Sequence, residues 1–340
     1  MTSTDTAARA TAVPGLVLRA YAGEADIPEM VRIQNAEWEA DGLPYRDTVD
    51  QQRAFFAHPS PQSDPVRDVT IAELDGRMVG HARRDWVDTN DGLREYRSRG
   101  VVDPAWRRRG IGTALLLACE REAATLAATH DTDRPRVLGT FTEDRNVGAT
   151  ALAERNGYRP ARWFFDMERP GIDRDLPPIA ALPAGVEVRP VSEEQLLQIW
   201  RADVEAFRDH WGGGDDSVEA FRRYRDSPSF DPSLWVVAWE GDEVVAACIN
   251  TIYAHENHAS GRRKGWLDSV FTRRPWRRRG IAGALIDRSL HRLAERGMEA
   301  AALGVDADNP SGALRLYESH GFAITSRGTA WRKPIEEVMT

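Results

Sequence analysis

The hexapeptide Trp106-Arg107-Arg108-Arg109-Gly110-Ile111 recurs unchanged as Trp276 to Ile281. One basic, glycine-broken run standing twice in a chain constrains the fold more than any other feature, because a repeat implies a structural unit built twice. Its surroundings recur in the same order with different wording. The first copy is preceded by LVLRA, a stretch through Asp26 and Trp38 compatible with helix, VTIAELDGRMVGHARRDWV with Asp75-Gly76 at a hairpin turn, and YRSRGVV. It is followed by IGTALLLACEREAATLA, whose apolar spacing suits a one-sided helix, strand-like RVLGTFT, a helix over 147–156, and strand-like YRPARWFFDME.

The second copy is preceded by VEVRPVS, helical EEQLLQIWRADVEAFRDHW and SVEAFRRYRD, LWVVAWEGDEVVAACINTIY turning at Glu240-Gly241-Asp242, and GWLDSVFT. After it come helical IAGALIDRSLHRLAERG, strand-like AAALGVD and helical SGALRLYESHG. Between the copies RPGIDRDLPPIAALPAG is rich in Pro and Gly and lacks sustained periodicity, which puts a boundary near Arg169 to Gly185. Two mixed α/β domains follow. The 340 residues, 41% hydrophobic with 11 tryptophans, suffice for two cores.

A formal charge of −8 argues against general nucleic-acid binding, so the arginine clusters need a local reason. Cys119 and Cys248, one in each half, make neither a disulfide framework nor a cysteine-rich metal site and read as core residues. The polar start lacks a signal-peptide plan, and no stretch approaches the roughly 20 apolar residues that cross a bilayer. A cytoplasmic protein without nucleic-acid or membrane partners is expected.

In each copy a hydrophobic strand runs into Arg-x-x-Gly-x-Gly/Ala and then directly into a helix: Arg107, Gly110 and Gly112, then Arg277, Gly280 and Ala282. Small residues let the backbone approach a ligand, and the N–H groups at a helix start have no internal partners, so successive donors can surround phosphate oxygens. Arginine side chains add charge-assisted contacts. A Rossmann fingerprint needs Gly-x-Gly-x-x-Gly in an early βαβ unit, and the Walker sequence GxxxxGK[ST] is absent.

VVDPAWRRRGIG and VFTRRPWRRRGIA resemble the acetyl-CoA pyrophosphate loop of the GCN5-related N-acetyltransferase (GNAT) family, and DADNPSGALRLYESHGF resembles its late Asn, helix and Tyr pattern ending in Gly-Phe. The tandem arrangement is similar to that of the actinobacterial mycothiol synthase-like members. The resemblance implies an α/β fold with two GNAT domains, 14–170 and 186–335, joined by a linker, 171–185. Each is a mixed central sheet flanked by helices, and acetyl-CoA is the cofactor. It implies that Val270, Phe271 and Thr272 form the strand edge that bonds the pantetheine arm. Arg277, Arg278, Arg279, Gly280, Ile281 and Ala282 would form the pyrophosphate loop, with Asn309 near the cofactor. Tyr317 would protonate the departing thiolate. Val102, Arg107, Arg108, Arg109, Gly110, Ile111 and Gly112 make the corresponding first cradle.

The first half departs from this pattern. Superposing Gly157-Tyr158 on Gly321-Phe322 puts Ala153 where Tyr317 stands, so the N-terminal domain is expected to keep a cofactor-like cleft and to be degenerate in catalysis. For the base, Asp268 lies two residues from Val270 and hence on the same side of a regular strand, where it accepts the amine proton or serves as a plain sheet-edge carboxylate. Glu205, Asp209 and His210 occupy the region that resembles the acceptor-binding insert, with Glu205 and Asp209 on one helix face. His255 and His258 have metal-like spacing on what reads as a polar loop, without further ligands, and no metal is expected. The expectation is a monomeric acetyltransferase acting on a primary amine of a small molecule or peptide. The alternatives are transfer of a longer acyl group, or a non-catalytic CoA-binding or sensing protein.

Overall fold

The computed structural model describes residues 13–208, 210–212, 215–309 and 312–339. Its strands are β1 (Leu16–Ala20), β2 (Val69–Leu74), β3 (Arg77–Asp88), β4 (Arg94–Val102), β5 (Arg136–Glu143), β6 (Arg159–Pro170), β7 (Val186–Arg189), β8 (Val236–Glu240), β9 (Glu243–Thr251), β10 (Lys264–Thr272), β11 (Ala300–Asp306) and β12 (Ala323–Pro334). The chain forms two compact units, one running to Ala161 and regained from Thr329 onward, the other Arg162–Gly328.

The first unit has strand order β1-β2-β3-β4-β5 with β12 beside β5. β1 to β4 form an antiparallel meander, and β4 to β5 is parallel. Asp75 and Gly76 both have positive φ, 52° and 72°, the conformation that a two-residue hairpin requires for its twist to match the strands. A parallel step needs a crossover, supplied by the Ile111–Thr129 helix, which buries Ile111, Leu115, Ala118, Cys119 and Ala123 along one stripe.

The second unit repeats the plan as β7-β8-β9-β10-β11-β6, antiparallel except for the β10–β11 step, whose crossover is the Ile281–Glu295 helix. Its sheet is covered on both faces. One face packs Leu267, Leu285, Leu290, Leu303 and Tyr317, and the other packs Ile199, Val237, Trp239 and Phe271 against the Leu196–Phe207 helix. Each unit is a mixed sheet flanked by helices.

The units divide elsewhere than the Pro/Gly-rich boundary. Residues 162–170, assigned by the sequence to the first domain, pair with β11 from Phe164↔Asp306 to Pro170↔Ala300 in the second unit. The 171–185 segment is packed onto that unit: Ile172 is fully buried, the Ala180 N–H donates to Asp287 at 3.2 Å, and His291 Nε2 meets the Pro177 carbonyl at 2.8 Å. At the other end Trp331 and Ile335 enter the core of the first unit, and Trp331 Nε1 donates to Thr142 at 2.9 Å. Proline and glycine mark where periodic structure stops, which is a different place from where packing stops.

Candidate active site

The site begins where two strands part. β10 and β11 pair only at Lys264↔Ala300, Gly265↔Ala301 and Trp266↔Ala302, whereas β10 stays paired with β9 as far as Thr272↔Ala246. Val270, Phe271 and Thr272 are therefore bonded along one edge, and their other edge faces the gap left by β11. The first unit opens in the same way: β4 pairs with β5 from Arg94↔Arg136 to Arg97↔Gly139 and then continues toward Val102 paired with β3 only. Backbone groups along such an edge need partners, which water or an extended ligand can supply.

The repeated hexapeptide closes the end of each gap. Among the described residues only Asp75, Arg108 and Arg278 are non-glycine residues with positive φ, and Arg108 (66°) and Arg278 (61°) hold the same position in the two loops. Gly110 (87°) and Gly280 (77°) follow as left-handed N-caps of the two crossover helices. Strained residues of this kind persist at functional sites, and left-handed residues alternating along a loop turn their N–H groups into an anion-binding concavity.

The first arginine of each copy turns inward. Arg107 forks onto Asp41 at 2.6 and 2.9 Å and lies 3.5 Å from Glu37, while Arg277 donates to the carbonyls of Thr272 and Ala206 at 3.0 and 3.1 Å. These guanidiniums brace the loop from within. Arg108, Arg109, Arg278 and Arg279 are exposed. The Asn309 backbone carbonyl accepts from the N–H of Gly312, the N-cap of the Ala313–Ser319 helix.

Asp268 is where the two units diverge most. The β9–β10 register slips between Leu267 and Ser269, so Asp268 is the extra residue of a β-bulge. Leu267 and Val270 both pack on the Ile281–Glu295 side, whereas Ser269 donates to Asp203 of the Leu196–Phe207 helix and Phe271 packs on that same side. The bulge thus turns Asp268 away from the side of Val270, opposite to the expectation for a regular strand. Its carboxylate accepts from the Tyr253 hydroxyl at 3.0 Å. It stays reachable by solvent but is walled in by protein, and this desolvation raises its pKa against hydrogen bonds from Thr251 and Tyr253. Burial pushes Asp203 up to about 6. Burial also raises the phenols of Tyr224 and Tyr253, with Asp268 as a further cause.

Tyr317 is 7% exposed, with its ring edge-on to Phe322 at 6.2 Å, and burial holds its phenol protonated well above the usual value. The first unit presents a cleft of about 360 Å³ lined by Ser98, Val102, Arg108, Gly112, Asn146 and Ala153. Shifting by the hexapeptide offset puts Ser98 at the position of Asp268, and β3–β4 pairs through Ser98↔Arg84 with no bulge. That cleft therefore has neither carboxylate nor bulge at this position, and alanine at the position of the phenol. It does contain Glu37, pushed up to about 7 by burial, with Arg107 opposing and Asp41 reinforcing the shift.

Several sequence candidates fall elsewhere. Glu205 is salt-bridged to Arg273 at 2.9 Å, and Asp209 lies outside the described residues. His210 rests against the Phe207 ring, and His255 and His258 lie on a short helix, Ala254–Ser260, where a loop was expected. Asp203 was not singled out, since an acidic residue mid-helix carries no signal of its own; only its spacing from Trp200 set it apart.

Comparison with known proteins places this architecture. Residues 196–322 match the model of the acetyltransferase (GNAT) family and residues 65–160 that of an acetyltransferase (GNAT) domain. A mycothiol acetyltransferase of Kineococcus radiotolerans is 30% identical over 74% of this chain and 77% of its own length. The chain belongs to the GNAT acetyltransferase family. A mycothiol acetyltransferase of Geodermatophilus obscurus is 29% identical over 91% of this chain and 94% of its own. Among solved structures, a GCN5-related N-acetyltransferase from Sphaerobacter thermophilus superposes with TM-score 0.68 at 28% identity, covering 95% of this chain and 96% of that one. A tandem GNAT protein from the clavulanic acid biosynthesis pathway shares the fold at 15% identity, with TM-score 0.70, covering 94% and 98%. This tandem GNAT chain is accordingly an acyl-CoA-dependent N-acetyltransferase. Among its described residues no helix is long and apolar enough to cross a membrane.

Proposed function

We propose that the second unit carries out acetyl transfer from acetyl-CoA to a primary amine of a small molecule or peptide, as a cytoplasmic monomer, with Asp268 as base and Tyr317 as acid. The observation that carries this reading is the bulge that sets Asp268 in the open wedge of β10, a device the first unit lacks. An acyl-CoA fits the residues present: a strand edge facing a gap at Val270–Thr272, a left-handed loop at Arg278 and Gly280, and exposed Arg278 and Arg279 for the phosphates. Bound there, it supplies an activated acyl group on a thioester.

The chain's own residues do the rest. An amine reaches the site as an ammonium and must lose a proton before it can attack. Asp268, with its raised pKa, takes that proton more readily than an ordinary carboxylate. As the N–C bond forms and the C–S bond breaks, the protonated Tyr317 hydroxyl gives its proton to the leaving thiolate. The Leu196–Phe207 and Val218–Arg225 helices bring Asp203, Trp200 and Tyr224 to the acceptor side. The first unit contributes a cleft without this chemistry. The matched relatives' name offers the mycothiol scaffold as one acceptor to try. A screen of amines with acetyl-CoA, reading free thiol and product mass, tests the reading: amine-dependent thiol release supports it, whereas CoA binding without release across the panel opposes it.

A further inference from the structure

Two carboxylates face the acceptor side of β10, and among the described residues neither is paired with a cation. Asp268 has only the hydroxyls of Tyr253 and Thr251, and Asp203 only the hydroxyl of Ser269. Several buried carboxylates elsewhere in the molecule are matched by a cation: Asp26 with Arg19 at 2.7 Å, Asp68 with Arg67 at 2.6 Å, Glu95 with Arg332 at 2.6 Å and Glu120 with Lys333 at 3.1 Å. An uncompensated carboxylate in a desolvated place is costly unless something cationic joins it. One such group serves to deprotonate an amine, so the second calls for its own explanation.

The wall around Asp203 is aromatic. Trp200 lies one helical turn before it and is stacked on Tyr224 at 5.8 Å, and Tyr224 is stacked in turn on Trp235 at 6.0 Å. Asp203 accepts from Ser269, the residue that follows Asp268, so the two carboxylates stand close together on this side of β10.

Building on the amine-acetylation reading, we propose that the acceptor is dicationic: its reacting nitrogen meets Asp268, while a second cationic nitrogen binds Asp203 beside the Tyr224 ring. Asp203 is then a specificity-determining residue. A monoamine would leave Asp203 dehydrated and unpaired, the condition under which polar sites discriminate most strongly.

The test uses the full chain, acetyl-CoA and a thiol-release assay with unbranched α,ω-diamines, from the propane to the hexane compound, beside monoamines of matched length. The best diamine should exceed its monoamine by about tenfold or more in kcat/KM. Asp203→Asn should erase that preference mainly through a rise in the diamine KM, with a clearly larger loss for the diamine than for the monoamine, and Asp203→Glu should restore part of it. Equal use of both amine classes by the unaltered enzyme, or an equal loss for both in Asp203→Asn, overturns the proposal. If no amine releases thiol, the acetyl-transfer reading itself has failed. Diamine binding to the CoA-loaded protein, followed by tryptophan fluorescence, then decides: binding lost in Asp203→Asn upholds the inference, and absent or unchanged binding overturns it.

Discussion

At the scale of single residues, a carboxylate whose pKa is raised by its protein surroundings serves different ends in the two units. Asp268 has hydroxyls alone as hydrogen-bond partners, and its raised pKa gives kcat/KM an acid limb: activity is lost as pH falls through that value, because the protonated acid cannot accept the amine proton. Asp268→Asn should lower kcat/KM about a hundredfold or more and abolish this limb in a pH–rate profile. Glu37 offers a separate test through stability. Its folded-state pKa, about 7, lies above the ordinary 4.5, so the folded form is favoured while the group is protonated. That advantage is lost as pH rises from 4.5 through 7, at a cost of about 3 kcal/mol at full ionisation. Glu37→Gln should therefore flatten the fall in unfolding free energy between pH 5 and pH 8; an unchanged pH dependence in denaturant titrations would argue against it.

At the scale of elements, the loop and the bulge show what a sequence makes legible. The hexapeptide, the hairpin at Asp75-Gly76 and the crossover helices rest on local rules of turn chemistry and apolar spacing, and could be read residue by residue. The bulge at Asp268 could not, because a register slip is a property of two strands and nothing in GWLDSVFT marks it. The inward turn of Arg107 and Arg277 was hidden for a similar reason: their partners, Asp41 and Ala206, come from distant helices and loops. Asp203 became meaningful only when its helix was laid against Ser269. The left-handed Arg278 gives a prediction at this scale. Arg278→Gly relieves a backbone conformation that costs roughly 1 kcal/mol while deleting a cation. Thermal stability should hold or rise slightly as the KM for acetyl-CoA increases several-fold; a clear loss of stability with KM unchanged would contradict the assigned part.

At the scale of the whole molecule, the compact units do not coincide with the two copies of the repeat: the second is the single stretch Arg162–Gly328, and the first is discontinuous. The first regains the chain at Thr329, where Lys333 neutralises buried Glu120 and Arg332 neutralises buried Glu95. Truncation before Thr329 would strand both carboxylates, each loss being worth about 3–5 kcal/mol, so calorimetry should show the first unit melting early. The sequence revealed two copies of one plan but not this exchange, because nothing in residues 323–334 marks which core will receive them. The central claim is that the copies are equal as cradles and unequal as reaction centres. Its most direct test is steady-state thiol release, with a turned-over amine, for Gly110→Val, Gly280→Val and Tyr317→Phe, the first two placing valine at φ of 87° and 77°. The account predicts that Gly280→Val and Tyr317→Phe each lose about a hundredfold or more, while Gly110→Val stays within about threefold of the parent. Full turnover in Tyr317→Phe together with collapse in Gly110→Val would contradict it.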